Sequence, residues 1–399
     1  MKQHNVIDSL IALAAHDRDL VIVTTDVAES TKAARFGREY PAQFVQCGRS
    51  DAHAVLVAVG LAHAGKKPVL VTYAANTLRA LEQLSLAAQN GVSLTVLATH
   101  AGLSSGQEGA STQTLHDISH WKSVPALNVI VPVDDVEARK ALLASLMQRG
   151  TTVIRLPRTT PPLVTLEKTA FHPGKTTVLR AGADCTLIAC GQMVALALSA
   201  AERLAKLDIG CTVLNSHTLA PFDKHGIFSS ALQTGCAVTI EEHSVSGGLG
   251  SSVAELLAGE NVPLEIIGLP DTFGESGTPA ELTGRFGLTV EHVILSAKNA
   301  IARKCKATCT ALHEQHAQFL VPPAPEQHFR MQGGGVIRTI PELASALPSM
   351  DDSTYIHHAS RGDFSAWVSG VFKQKELAQL ISGKKNKLAM ACTIARWLR

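Results

Sequence analysis

Short apolar runs alternate with longer segments of helical length, and the alternation occurs twice along the chain. In the first half, Leu20–Val23, Pro68–Thr72, Leu94–Ala98, Val129–Val131 and Val153–Leu156 are nearly continuous apolar runs, the mark of strands buried on both faces. Between them, Asp51–Ala64, Thr77–Gln89 and Asp135–Gln148 are expected to be helices. Gly65 and Gly91 follow the first two, where a helix end suits glycine. Strands alternating with helices predict a doubly wound, mainly parallel α/β domain over residues 1–160.

Prolines at 161, 162 and 173 mark residues 161–183 as a linker. The alternation then restarts: strand Cys185–Ala189, helix Met193–Leu207, strands Cys211–Leu214 and Ala237–Ile240, helix Leu249–Ala258, strand Leu264–Ile267. This predicts a second α/β domain over 184–320. After the proline-rich run Val321–Gln327 the character changes, with a Gly333-Gly334-Gly335 turn, a short strand and several short helices. Residues 328–399 are too few for a third such domain and are expected to form a small, mostly helical accessory module.

Composition narrows the function. The 36 Lys plus Arg nearly balance 34 Asp plus Glu, a formal charge of +2, so no strong field of one sign gathers nucleic acid or acidic lipid. No apolar stretch approaches the roughly 18 residues of a membrane span, and no apolar signal core stands at the N-terminus. A cytoplasmic protein acting on small molecules is expected. The eight cysteines are scattered, and Cys305 and Cys309 lack a second ligand pair, so reduced structural thiols are expected rather than a zinc site.

Candidate chemistry concentrates in the loop Thr99–Gln113, which follows the third strand. Ligands of an open parallel sheet bind beyond the carboxyl ends of its strands, and a loop with glycines at 102, 106 and 109 lets backbone approach a ligand closely. His100 and Glu108 are placed to reach a polar substrate; a plain surface loop is the competing reading. Asp51 opens a predicted helix, where a capping role is equally natural. Gly247–Gly250 also precede a helix, and close packing is favoured there over a phosphate site.

The loop Thr99–Gln113, with Pro125–Asp134 and Arg155–Arg158, resembles the pyrimidine-binding domain of the transketolase family. Leu219–Asp223, Glu241-Glu242-His243, Gly247–Gly250 and Gly268–Gly277 resemble the family's C-terminal domain in order and spacing. The resemblance covers residues 5–318 and implies the C-terminal-half subunit of a split transketolase. Such an enzyme uses thiamine diphosphate as an electron sink to move a two-carbon ketol unit between sugar phosphates or related substrates. It implies that Asp51 stands where the family has the glutamate that hydrogen-bonds the aminopyrimidine ring. Tyr73 and Asn76 fall where aromatic residues pack on that ring. Ser30, His100, Glu108, Thr112 and Arg158 fall at sugar and sugar-phosphate positions, with His100 as a second catalytic candidate. Asp51, Asn76 and Thr112 depart from the family's glutamate, phenylalanine and histidine, which leaves an E1 β-like acyl-transfer or carboligation subunit, or a degenerate scaffold, as alternatives.

The family holds the diphosphate through a divalent cation with a Gly-Asp-Gly segment and a downstream Asn, oxygen donors suited to a hard ion. No Gly-Asp-Gly occurs in this sequence. The resemblance therefore implies no metal site in this chain. Mg²⁺ or Ca²⁺ would be held by an N-terminal transketolase-type partner, in a heterotetramer built on a homodimer of this chain.

Overall fold

The computed structural model describes residues 6–315 and 324–398. In the first half, β1 (Leu20–Thr24), β2 (Phe44–Gln46), β3 (Lys67–Tyr73), β4 (Leu94–Thr99), β5 (Asn128–Ile130) and β6 (Thr151–Arg155) are strands. In the second, β7 (Thr177–Arg180), β8 (Cys185–Ala189), β9 (Cys211–Asn215), β10 (Thr218–Ala220), β11 (Ala237–Ser244) and β12 (Leu264–Leu269) follow. The first sheet runs β10-β5-β6-β4-β3-β1-β2 and the second β12-β11-β8-β9-β7. Every pair within each is parallel except β10 on β5 and β7 on β9, both antiparallel edges.

The long apolar runs form strands buried along their whole length in β1, β6, β8 and β9, as expected of sheets covered on both faces. The helices Asp51–His63 and Asp135–Met147 lie where the sequence puts them. Thr77–Gln89 is not one helix. It divides into Ala74–Arg79 and Leu81–Gln89 at Ala80, whose backbone leaves the helical region (φ −112°, ψ 16°) while its side chain is buried. Alanine carries no helix-breaking signal, so packing makes the break. The linker is not wholly irregular either, since β7 lies within it as a half-exposed edge strand.

Two features join the halves. β10 departs from the second unit to close the edge of the first sheet against β5. Arg155, at the end of β6, lies buried between the units. Its Nε donates to Asp117 Oδ2 at 2.7 Å and its Nη2 to the Glu242 carbonyl at 3.1 Å, with the Glu242 carboxylate 3.9 Å from Nη1. Glu242 in turn accepts from the Leu103 amide at 3.0 Å and from Gln192 Nε2 at 2.7 Å. Burial alone would favour deprotonation of Arg155, but Asp117 and Glu242 outweigh it and hold the guanidinium pKa above its ordinary value. The neighbouring Glu241 accepts the amides of Leu249 and Gly250, both at 2.7 Å, at the start of helix Leu249–Leu257. A side chain on Gly248 would place its Cβ 2.0 Å from Glu241 Oε2, so the glycines there serve close packing around a carboxylate of this chain.

The tail adds the hairpin β13 (Phe329–Arg330) and β14 (Val336–Ile337) and, between Ile340 and Leu398, five α-helices and a 3₁₀ turn at Leu347–Ser349. Its Phe329, Ile340, Leu343, Val368 and Ile394 share one apolar core with Val194, Ile240, Val293 and Ile301 of the second unit. Within it His357, His358 and Asp363 gather potential metal-ligating atoms. His358 Nδ1 lies 2.8 Å from Asp363 Oδ2, however, and its Nε2 accepts from the Gln332 amide at 3.0 Å. Both ring nitrogens are engaged, so the histidine ties the hairpin to the helices. Cys185, Cys190, Cys211, Cys236 and Cys392 are free and buried and Cys305 is buried, while the Cys309 side chain lies outside the described residues. No helix among the described residues is long and apolar enough to cross a membrane.

Asp117→Ala leaves Arg155 short of its closest counter-charge and is expected to lower the unfolding free energy by about 3–5 kcal/mol, read from urea denaturation. Arg38→Ala, at the exposed pair with Glu29, is expected to leave the midpoint in place. Matching small shifts in both variants would contradict the role given to the buried network.

Candidate active site

The carboxyl ends of β1, β3, β4 and β6 surround a cavity of about 100 Å³. Ile7, Val71 and Leu97 contribute apolar walls, and Ser30, Lys32, His100, Asp135 and Arg158 contribute polar lining. Three of the residues assigned to sugar and phosphate from sequence, Ser30, His100 and Arg158, are thus brought together. His100 adopts φ 58°, unusual for a side-chain-bearing residue, at the turn out of β4. Burial first and Arg158 second push its imidazole pKa down to about 4, so at neutral pH the ring is uncharged and can both donate and accept. Nδ1 lies 3.1 Å from Thr99 Oγ1.

Tyr73 links this cavity to a second cluster. Its ring stacks on His100 with centroids 4.0 Å apart, and its hydroxyl donates to Ser30 Oγ at 2.7 Å. The preceding residue, Thr72, faces the other way, as successive strand residues must. There Thr72 Oγ1 lies 3.5 Å from Asp51 Oδ1 and accepts from Asn76 Nδ2 at 3.3 Å. Asp51 begins helix Asp51–His63 but does not act as its cap. Its buried carboxylate receives Arg79 Nε at 3.0 Å and Nη2 at 2.9 Å. Arg79 Nη2 also donates to Asn76 Oδ1 at 2.5 Å.

The loop after β4 folds into a 3₁₀ segment, Gly102–Glu108, broken at Gly106. Glu108 pairs with Arg158 at 2.7 Å, and Arg158 also donates to the Ser105 carbonyl at 3.3 Å. Gly102 is required by contact: at φ 65°, an added Cβ would lie 2.6 Å from the Glu242 carboxyl group. Thr112 lies apart from the cavity lining, in a turn where its amide donates to the Gly109 carbonyl at 3.1 Å. Sequence reasoning missed Arg79 and Arg155. Arg79 stands three residues after Asn76 on one helix face, a spacing that brings the two side chains together. Arg155 ends an otherwise buried strand, where an arginine demands partners.

Residues 6–162 match the family described as transketolase, pyrimidine binding domain, and residues 174–293 match transketolase, C-terminal domain. The 6-deoxy-6-sulfo-D-fructose transketolase subunit of Clostridium sp. (strain MSTE9) is 36% identical over 75% of this chain and 94% of its own length. This chain belongs to the transketolase family. An apulose-4-phosphate transketolase subunit of Phocaeicola vulgatus is 35% identical over 73% of this chain and 94% of its own length. Against the 1-deoxy-D-xylulose-5-phosphate synthase of Desulforudis audaxviator, 34% identical, the chain spans only about half (48%) of the relative. Among solved structures, a split gene transketolase described as an inactive β4 tetramer has a TM-score of 0.69 and 35% identity, covering 75% of this chain and 97% of that one. Transketolase from Campylobacter jejuni, at 19% identity and a TM-score of 0.62, shares the fold. The two family matches end at residue 293, so the tail lies outside them.

Transketolase-family membership carries dependence on thiamine diphosphate. The similarity to separately encoded subunits over nearly their whole length makes this chain a transketolase-like subunit that works with a partner.

The lowered pKa of His100 has a signed consequence. Between pH 6.5 and about 4 the unfolded chain binds more protons at this site than the native one, so the group withdraws stability as pH falls through that window. His100→Asn is expected to lose less thermal stability than the wild type on going from pH 7 to pH 5. Identical losses would show that the ring is not held neutral.

Proposed function

We propose that this chain supplies the pyrimidine-binding half of a two-subunit transketolase that transfers a two-carbon ketol unit between sugar phosphates or related sugars. The observation that carries the reading is the division at the end of β3. Thr72 turns toward the buried Asp51 carboxylate, and Tyr73 turns toward His100 and Ser30 in the ligand cavity. Cofactor-facing and substrate-facing groups are therefore one residue apart on a rigid strand, the arrangement a transfer reaction needs.

The donor set fits one half of thiamine diphosphate. Asp51 offers a buried carboxylate to an aminopyrimidine and Asn76 a buried amide, while Tyr73, assigned to the ring from sequence, turns its aromatic face to His100 on the substrate side. When bound, the cofactor supplies the electron sink for breaking and making the carbon–carbon bond. Asp51 holds the pyrimidine through its carboxylate. His100, neutral and buried, exchanges a proton with a substrate hydroxyl, and Ser30 and Arg158 orient the sugar and its distal anion. Glu108, paired with Arg158, steers that guanidinium, whereas Thr112 stands apart from the cavity and is given no substrate contact. The named substrates of the two subunit relatives, a sulfofructose and apulose 4-phosphate, both carry an anion, which agrees with an arginine at the cavity.

The diphosphate and its Mg²⁺ or Ca²⁺ fall to an N-terminal transketolase-type partner carrying Gly-Asp-Gly and a downstream Asn. On the largely apolar helix Asp51–His63, Leu56 is exposed and Val57, Val59 and Leu61 are only partly buried, an apolar face that supports a homodimer of this chain at the centre of a heterotetramer. A related β chain on its own is described as an inactive tetramer, which supports the need for the second subunit.

The test is to purify this chain with an N-terminal transketolase-type partner subunit and assay ketol transfer with and without thiamine diphosphate. Cofactor-dependent transfer by the pair is expected, and Asp51→Ala is expected to abolish it while the chain stays folded by circular dichroism. A folded pair that binds cofactor yet transfers no ketol unit from any sugar, or an Asp51→Ala variant with full turnover, would refute the assignment.

A further inference from the structure

Two departures from the family pattern, at Asp51 and Asn76, meet at one side chain, Arg79. Asp51 is a methylene shorter than the family's glutamate, and Asn76 replaces an aromatic ring. Both hold Arg79: Asp51 Oδ2 receives Nε and Nη2 at 3.0 and 2.9 Å, and Asn76 Oδ1 receives Nη2 at 2.5 Å. The Asn76 amide is itself oriented by donating to Thr72 Oγ1, which lies 3.5 Å from the other Asp51 oxygen. A phenylalanine at 76 would offer no acceptor, and a longer carboxylate at 51 would reach into the space of the guanidinium. The two changes are therefore physically linked.

The pair is also lopsided in exposure. The Asp51 side chain is 5% exposed and Arg79 is 65% exposed, so the guanidinium covers the carboxylate on its solvent side. A planar ligand that seeks Asp51 must arrive where Arg79 now sits. A guanidinium in a forked contact mimics the flat N–H edge of a nitrogen heterocycle, and an ion pair with one partner in solvent is weak enough to open.

We propose that Arg79 is a gate on the pyrimidine seat: it occupies the Asp51 carboxylate until the pyrimidine ring of thiamine diphosphate displaces it. The inference rests on the reading of Asp51 as the pyrimidine-holding carboxylate. Opening the ion pair is part of cofactor binding, so apparent affinity is reduced by the fraction of molecules in which the seat is open.

Binding is the readout, by thiamine diphosphate titration of the assembled two-subunit complex followed by native mass spectrometry. Arg79→Ala is expected to bind the cofactor about tenfold more tightly than wild type, the factor for a seat open roughly one part in ten. Arg79→Lys, which keeps the charge but not the fork, should fall between them. Unchanged or weaker binding by a folded Arg79→Ala complex would overturn the gate. Asp51→Ala in the same titration separates this from failure of the underlying reading. Strong loss there with no change in Arg79→Ala sinks the gate alone, whereas wild-type affinity in Asp51→Ala sinks both.

Discussion

A guanidinium buried between two α/β units cannot be left unpaired, and that constraint organises this molecule. Arg155 draws Asp117 from the helix after the glycine-rich loop and Glu242 from the end of β11 into one contact. Glu242 then holds the Leu103 amide and leaves no room for a side chain at Gly102. The path of the loop between His100 and Glu108 is thus set from the second unit. The segment Leu156–Arg158, which lines the ligand cavity, follows Arg155 directly. Among the described residues the second unit contributes no side chain to that cavity, yet its position determines where His100 and Arg158 stand.

The same economy appears in the charge of the site. His100 is kept neutral, Arg158 is paired with Glu108, and Asp51 is paired with Arg79. Each of these groups thereby has a defined orientation before any ligand arrives, which lowers the cost of ordering it on binding. Pre-arrangement has a converse: a ligand that takes one of these groups must break an existing contact, so the site favours partners able to replace what they displace.

Much of this was legible in the sequence, for physical reasons that vary by element. The central strands were readable because strands covered on both faces are continuously apolar, and the glycine-rich loop because it follows such a strand. β2 and β10 were too short to carry a pattern, and β7 was half-exposed in a segment punctuated by prolines. The division at Ala80 left no trace because alanine favours the helix it interrupts. The tail read as an accessory module, but which core its side chains join is a tertiary fact that local pattern does not hold. Ser30, His100 and Arg158 converge from three separate turns, and family resemblance rather than periodicity brought them together. Arg79 escaped notice because its significance exists only once Asp51 and Asn76 are seen around it.

The central claim is that this chain holds one half of a shared cofactor site. Cofactor stoichiometry by native mass spectrometry tests it most directly, on the chain alone and on its complex with the transketolase-type subunit. The account predicts that the chain alone retains no thiamine diphosphate and that the complex retains one molecule for each copy of this chain. Tight stoichiometric binding by the isolated chain, or none by the complex, would contradict it.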